Sequence, residues 1–284
     1  DYAEKVPELP EVETVRRQIG PVLVGALIQR AAIFDQRLTR PFASDLVAVE
    51  LEGERVTTVD RRGKYLIFRF ESGRALLIHL RMTGSFRVVP AGELAADDAH
   101  RRAVLRLDNG SDVGYRDVRR FGTWELFEPG ELEAHLAGKL GPEPLATFSA
   151  RALAKRLSMR RTSVKAALLD QRTVAGLGNI YVDEALWHAQ LHPLRPARDL
   201  EASDVARVHR AVRKVLRLGI ERQGASLRDY STPSGEAGGM QHEFHAYGRG
   251  GEPCDRCGTP IAKTRVAGRG TWFCPRCQVD PSRG

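Results

Sequence analysis

The chain has 284 residues, 42% of them hydrophobic, and a formal charge of +8 at pH 7. That length predicts about two domains and that apolar fraction an ordinary core, which excludes a chain disordered throughout. No apolar run reaches the ~20 residues of a membrane helix, and the first residues lack the basic-then-apolar pattern of a signal peptide, so a soluble cytoplasmic protein without a membrane partner is expected.

In chain order, six residues precede the phrase PELPEVETV, which starts at Pro7. Val12, Val15, Ile19 and Leu23 then recur at helical spacing, predicting an amphipathic helix over Glu11 to Leu23 that Gly25 ends. From Leu27 to about Phe127 the runs LIQRAAIF, ERVTTVDRR, KYLIFRF, RALLIHL, SFRVV, AVLRLDNG and TWELF read as short strands, with ESG and DNG as turns between them. Such a series predicts a sandwich or barrel. The prolines of Gly141 to Leu145 mark a linker. Beyond it the predicted elements are helices over Ala150 to Leu157, Val164 to Asp170, Asn179 to Ala189 and Ser203 to Gln223, the last with Ser203 as N-cap. Between Arg151 and Leu169 lie six basic residues and no acidic one, a one-signed stretch that favours a polyanionic partner. Ser231 to Met240, small, polar and glycine-rich, reads as a mobile loop.

At the end stand two C-x-x-C couplets, Cys254 with Cys257 and Cys274 with Cys277, sixteen residues apart. The spacing suits a hairpin that closes a tetrahedral four-cysteine Zn2+ site. Disulfides are disfavoured without a secretion signal, and a redox couplet leaves its twin unexplained. With all four cysteines used as ligands, the metal is structural. Lys263, Arg265 and Arg269 lie inside the hairpin, where they are either solvated charges or, the favoured reading, phosphate contacts, since the glycines flanking Arg269 would let the backbone approach a phosphate that the guanidinium grips.

Other residues stand out only in combination: Lys64 in RRGKYL, His79 and Met82 in IHLRMTG, Arg119 and Phe121 in DVRRFG, and Asn179 in GLGNIYVDE. Singly, each has a structural reading as a strand-end charge, a core side chain or a helix cap. Together with PELPEVETV and the terminal couplets, from Pro7 to about Gln278, the ordered set resembles the formamidopyrimidine-DNA glycosylase and endonuclease VIII family of base-excision repair enzymes. The resemblance implies an α+β multidomain fold: an N-terminal β-sandwich with one N-terminal helix over 7–135, a helical helix-two-turns-helix DNA-binding domain over 145–240, and a zinc finger over 247–279, after an extension of uncertain origin at 1–6. It also implies double-stranded DNA with damaged bases as the partner, bound by a monomer between the halves.

By the resemblance, the amine of Pro7 attacks C1′ of the damaged nucleotide to form a Schiff base. Glu8 is the general acid/base, Lys64 contacts phosphate and donates a proton for β-elimination, and Arg269 serves δ-elimination. Glu11 is expected to support the site rather than to catalyse. Met82, Arg119 and Phe121 would fill the void left by the extruded base. His79, His100, Arg160, Lys165 and Asn179 match further DNA contacts, Asn179 clamping phosphates with Arg269. At His100 the pattern departs, because Arg102 stands where the family has a second histidine. The leucine of PELPE, the separated trio and the long loop resemble the branch that removes oxidised purines such as 8-oxoguanine; endonuclease VIII relatives prefer oxidised pyrimidines. A rival reading is a lesion-binding protein without catalysis, since a peptide bond from Val6 makes the Pro7 nitrogen an amide, which forms no Schiff base. Val6 stands where an initiator methionine is expected, and GTG encodes valine and also starts bacterial chains, so a start at that codon followed by methionine removal would free Pro7; an artificially added leader, ranked second, and proteolytic trimming are the other readings.

Overall fold

The computed structural model describes residues 6–279 other than 96, 147, 228 and 229. Helix α1 (Leu9–Leu23) is followed by β1 (Ile28–Ile33), α2 (Ser44–Leu51), β2 (Val56–Arg62), β3 (Tyr65–Phe70), β4 (Ala75–His79), β5 (Gly84–Pro90), β6 (Arg101–Leu107), β7 (Ser111–Asp117) and β8 (Thr123–Phe127). The strands pair antiparallel in two four-stranded sheets, ordered β1-β6-β7-β5 and β2-β3-β4-β8. Val12, Val15, Ile19 and Leu23, the face that the periodicity picks out, enter the same core as Phe68, Phe86, Tyr115 and Trp124, so the expected sandwich with one covering N-terminal helix is present.

Among the described residues, α2, β7 and α3 (Glu131–Ala137), together with two short 3-10 helices, lie outside the predicted set. Helix α2 leaves Leu46 and Val49 about two-thirds exposed, so its apolar residues mark no single buried face. Strand β7 carries two acids inward. Asp112, 2% exposed, is neutralised by Nε and Nη2 of Arg106 at 2.9 and 3.0 Å, and this pairing across the ladder hides an interior strand behind loop-like composition.

The second half contains α4 (Ala150–Ser158), α5 (Val164–Leu169), α6 (Asn179–Ala189), α7 (Ala202–Glu221) and the hairpin β9 (Ala262–Val266) and β10 (Arg269–Phe273). Helix α7 starts one residue before Ser203. Its N-cap is Glu201, whose N–H donates to Asp204 Oδ2 at 3.3 Å, so the expected serine cap is corrected to an acidic capping pair. Between α5 and α6, Gln171 stitches the tight connection: Nε2 donates to the carbonyls of Leu169 and Leu177, and Oε1 accepts from Gly176 N–H. The segment read as a linker is bound down, because Glu143 receives Arg61 Nη2 and Arg62 Nη1, each at 2.9 Å. Leu9 belongs to the helical core while the next apolar residues of α1 belong to the sandwich, so the first turn of α1 sits on the seam between the two.

Candidate active site and nucleic-acid interface

The phrase at Pro7 and the glycines at Gly176 and Gly178 meet at that seam. Leu9 N–H donates to the Gly176 carbonyl at 3.0 Å. The Glu8 carboxylate, 3% exposed, accepts from the N–H groups of Gly178 at 2.6 Å, Ile180 at 2.9 Å and Tyr181 at 3.4 Å. It therefore caps α6 from outside the helix, where unpaired donors and the helix dipole favour a negative charge. The N-cap position itself belongs to Gly178, and Asn179 is the first helical residue. A Cβ on Gly178 would stand 2.4 Å from Glu8 Cδ, which is why no larger residue fits. Gly178→Ala is expected to lower the melting temperature by roughly 5 °C or more, from an overpacking cost of about 1–3 kcal/mol, and to reduce activity by displacing Glu8; calorimetry and a base-release assay measure both.

Glu11 lies one turn further along α1, buried, and its oxygens accept from Glu8 N–H at 2.9 Å, Tyr181 Oη at 2.9 Å and Ala225 N–H at 2.8 Å. With both oxygens held, Glu11 ties α1, α6 and the loop after α7 together, the supporting role expected of it. Lys64 is half-buried in the turn between β2 and β3. Burial lowers its pKa, Glu8 and Glu11 oppose that shift, and Arg269 adds to it. Burial pushes the Glu8 carboxyl up to about 7 against the opposing pull of Lys64, with Glu11 adding to the rise and the α6 N–H groups resisting it. A carboxyl poised near neutrality can both give and take a proton.

The void-filling candidates stand on two adjoining loops. Met82 follows β4 and is half-buried; Arg119 and Phe121 follow β7 and are exposed, with the guanidinium 4.9 Å from the ring centre. Thr83 Oγ1 donates to Asp117 and accepts from Arg119 N–H at 2.9 Å, locking one loop to the other. Gly122 permits this closeness, since a Cβ there would lie 1.9 Å from Tyr115 Oη. The two adjacent arginines part company. Arg120, at φ 60°, turns back and grips Asp35 through Nε at 2.6 Å and Nη2 at 2.8 Å, leaving Arg119 to face outward. His79 is buried, its Nδ1 accepts from Arg81 N–H at 2.9 Å, and burial together with the nearby Arg81 and Lys64 lowers its pKa to about 3. It is a neutral ring that shapes the turn carrying Met82.

A cleft of about 1200 Å³ brings Pro7, Met82 and Arg119 together with Lys263, Arg265 and Arg269 of the hairpin and with Tyr230 and Tyr247. Neither tyrosine stood out in the sequence, because an aromatic beside a glycine-rich loop carries no periodic signal. Glu8, Lys64, Asn179 and Phe121 are not among its lining residues; Asn179 Nδ2 donates to the Gly270 carbonyl at 2.9 Å. His100 and Arg160 are not among the lining residues. His100 is half-buried ahead of β6, and Arg160 Nη1 pairs with Asp170 Oδ2 at 2.9 Å. Lys165 corrects the sequence reading. Its side chain is fully buried and its ammonium contacts Asp183 at 2.6 Å, so it presents nothing to DNA.

The four cysteine sulfurs lie within 4.8 Å of one another, a group of the size that suits a metal with sulfurs at ~2.3 Å and hence about 3.8 Å apart. Ile261, Trp187 and Trp272 pack around them. Backbone turns form each knuckle: the Cys254 carbonyl accepts from Cys257 N–H at 3.3 Å and Gly258 N–H at 2.8 Å, and Cys274 Sγ accepts from Cys277 N–H at 3.4 Å. The donor set is closed and soft, as a structural Zn2+ requires.

A sandwich, a helix-two-turns-helix unit and a zinc hairpin around one basic cleft define a DNA-binding protein of the lesion-processing class. Residues 6–124 match the formamidopyrimidine-DNA glycosylase N-terminal domain, 140–231 the H2TH domain of the same glycosylases, and 251–279 the zinc finger found in FPG and IleRS. The formamidopyrimidine-DNA glycosylase of Symbiobacterium thermophilum is 47% identical, with 97% of this chain and 90% of the relative covered. The complex of Lactococcus lactis Fpg with abasic-site DNA superposes with a TM-score of 0.89 at 40% identity, covering 96% of this chain and all of the other. A structure described as MutM in complex with carbocyclic 8-oxo-G containing DNA gives the same TM-score at 39% identity and the same coverage. The chain belongs to the formamidopyrimidine-DNA glycosylase family. Among the described residues no helix is long and apolar enough to cross a membrane.

Proposed function

We propose that the chain removes oxidised purines from duplex DNA and then cleaves the strand at the abasic site, working as a monomer in the cytoplasm. What supports this most directly is Pro7 on the cleft wall with a neighbouring carboxyl held near neutrality. The lesion class follows the relatives, whose partners are abasic and 8-oxo-G DNA.

In this mechanism the free Pro7 nitrogen, its lone pair available once deprotonated, bonds to C1′ as the glycosidic bond breaks, and the base leaves with the bonding pair. Glu8 supplies the proton that opens the sugar ring, a step coupled to departure of the base, and the resulting imine withdraws electrons from C2′. Loss of the C2′ proton expels the 3′ phosphate; a second elimination expels the 5′ phosphate and leaves a gap with phosphorylated ends. Lys64 and Arg269 serve these two departures, Asn179 and Arg269 hold the phosphates, and Met82, Arg119 and Phe121 occupy the vacated stack. Zn2+ enters no step; it would hold the hairpin that carries Arg269.

All of this requires the Pro7 nitrogen to be an amine, so residues 1–6 must be absent from the active form. Borohydride trapping on duplex DNA with 8-oxoguanine opposite cytosine is expected to give a covalent adduct with a chain that begins at Pro7 and none with one that retains 1–6. Tight lesion binding without adduct or scission from either chain would establish a lesion-binding protein instead.

A further inference from the structure

The fully buried Lys165 of α5 spends its three ammonium protons on Asp183 Oδ1 at 2.6 Å, Thr271 Oγ1 at 2.8 Å and the Gly270 carbonyl at 3.1 Å. A cation leaves water at high cost unless every donor is matched, so this is a specific placement. Two of the three acceptors belong to β10, directly after Arg269. The same short stretch is held again by its neighbours. Asp183 Oδ2 accepts from Trp272 N–H at 3.1 Å, Asn179 Nδ2 donates to the Gly270 carbonyl at 2.9 Å, and Thr271 Oγ1 donates to the Arg269 carbonyl at 3.1 Å.

A two-stranded hairpin has too little core to hold its own shape. The cysteines anchor β10 only beyond Phe273, at Cys274, whereas Arg269 stands at the opposite end beside the turn at Ala267 and Gly268. The root of Arg269 is therefore fixed by α5 and α6. We propose that the Lys165–Asp183 pair is the positioning device that sets Arg269 in the cleft, so that the second strand-cleaving elimination depends on a charge pair that never touches DNA. This rests on the role given to Arg269 above, and it makes Lys165 and Asp183 positioning residues, not catalytic ones.

The test uses the zinc-loaded chain beginning at Pro7, its Lys165→Met variant, and the double variant Lys165→Met with Asp183→Leu, which replaces the pair by apolar side chains. On abasic duplex at saturating enzyme, both variants are expected to trap with borohydride and to complete the first elimination within about threefold of the parent, while the second elimination falls about 10- to 100-fold, the scale set by a displacement of order 1 Å. Amides of 262–273 exchange hydrogen faster in both. The double variant regains melting temperature lost by the single one, because it leaves no unpaired buried charge. Equal losses in trapping and in both eliminations would reduce the pair to a general stabiliser and overturn the proposal, as would a double variant that cleaves twice like the parent. If the parent itself gives no adduct, the proposed function fails separately; unchanged exchange at 262–273 in the double variant then overturns the positioning role.

Discussion

Glu8→Gln is expected to lower the rate of base excision by about 10²–10⁴-fold, the usual contribution of a positioned proton donor, and to remove the alkaline limb of the pH profile. The sign follows from two groups. Glu8 acts as an acid in its protonated form, and with its pKa pushed up to about 7 that form declines as pH rises past 7. The Pro7 amine acts unprotonated, and an α-amino group near ~7.7–8.0 gains that form as pH rises. Parent activity is thus bell-shaped. In the glutamine variant only the amine limb remains, so residual activity climbs with pH and levels off. Single-turnover base release between pH 5.5 and 9.5 measures both curves; a variant that keeps the alkaline decline would assign it to another group. The same elevated pKa has a cost in stability. The stability that the neutral acid contributes is fully present below about 4.5 and is lost as pH rises through about 7, above which the fold holds a desolvated carboxylate.

Removing Zn2+, by chelation or by Cys274→Ser, is expected to abolish lesion cleavage while the sandwich stays folded, since none of the four cysteines belongs to the core that holds Phe68, Phe86 and Trp124. Binding of structural zinc is itself folding free energy of about 10–16 kcal/mol, far more than a small hairpin has from packing. The hairpin's Lys263 and Arg265 leave the cleft with it, so the dependence of log affinity on log salt becomes shallower by about 2, near 0.9 for each phosphate that goes unneutralised. Titrations of a lesion duplex at several salt concentrations check this. Fluorescence of Trp187 and Trp272, both packed at the cysteine cluster, reports the unfolding. An unchanged salt slope would place the hairpin's cations away from the phosphates.

Much of this site is legible before folding. The helices α4, α5 and α6 lie within a residue of their predicted ends, because amphipathic periodicity is local. The knuckle spacing of the cysteines is local too, and the sulfurs do converge. Strand β7 was hidden for the opposite reason: Asp112 and Asp117 look like loop residues until Arg106, on another segment, neutralises the first and Thr83 hydrogen-bonds the second.

PELPE and GLGN show the division most sharply. As strings they are a stiff acidic phrase and an ordinary glycine turn, 170 residues apart; as structure they are one object, a carboxylate seated on a helix N-terminus through a gap that only Gly178 leaves open. The sequence by itself determined which residue types were present for amine, acid and metal chemistry, and which segments were helix, strand or knuckle, because those follow from neighbours along the chain. Tertiary structure alone decided that Arg119 faces the cleft while Arg120 grips Asp35, that Tyr230 and Tyr247 join the cleft wall, and that Lys165 points inward at Asp183. Each of those outcomes turns on whether a charge or ring finds a partner across the fold, and burial sets the value of that partner.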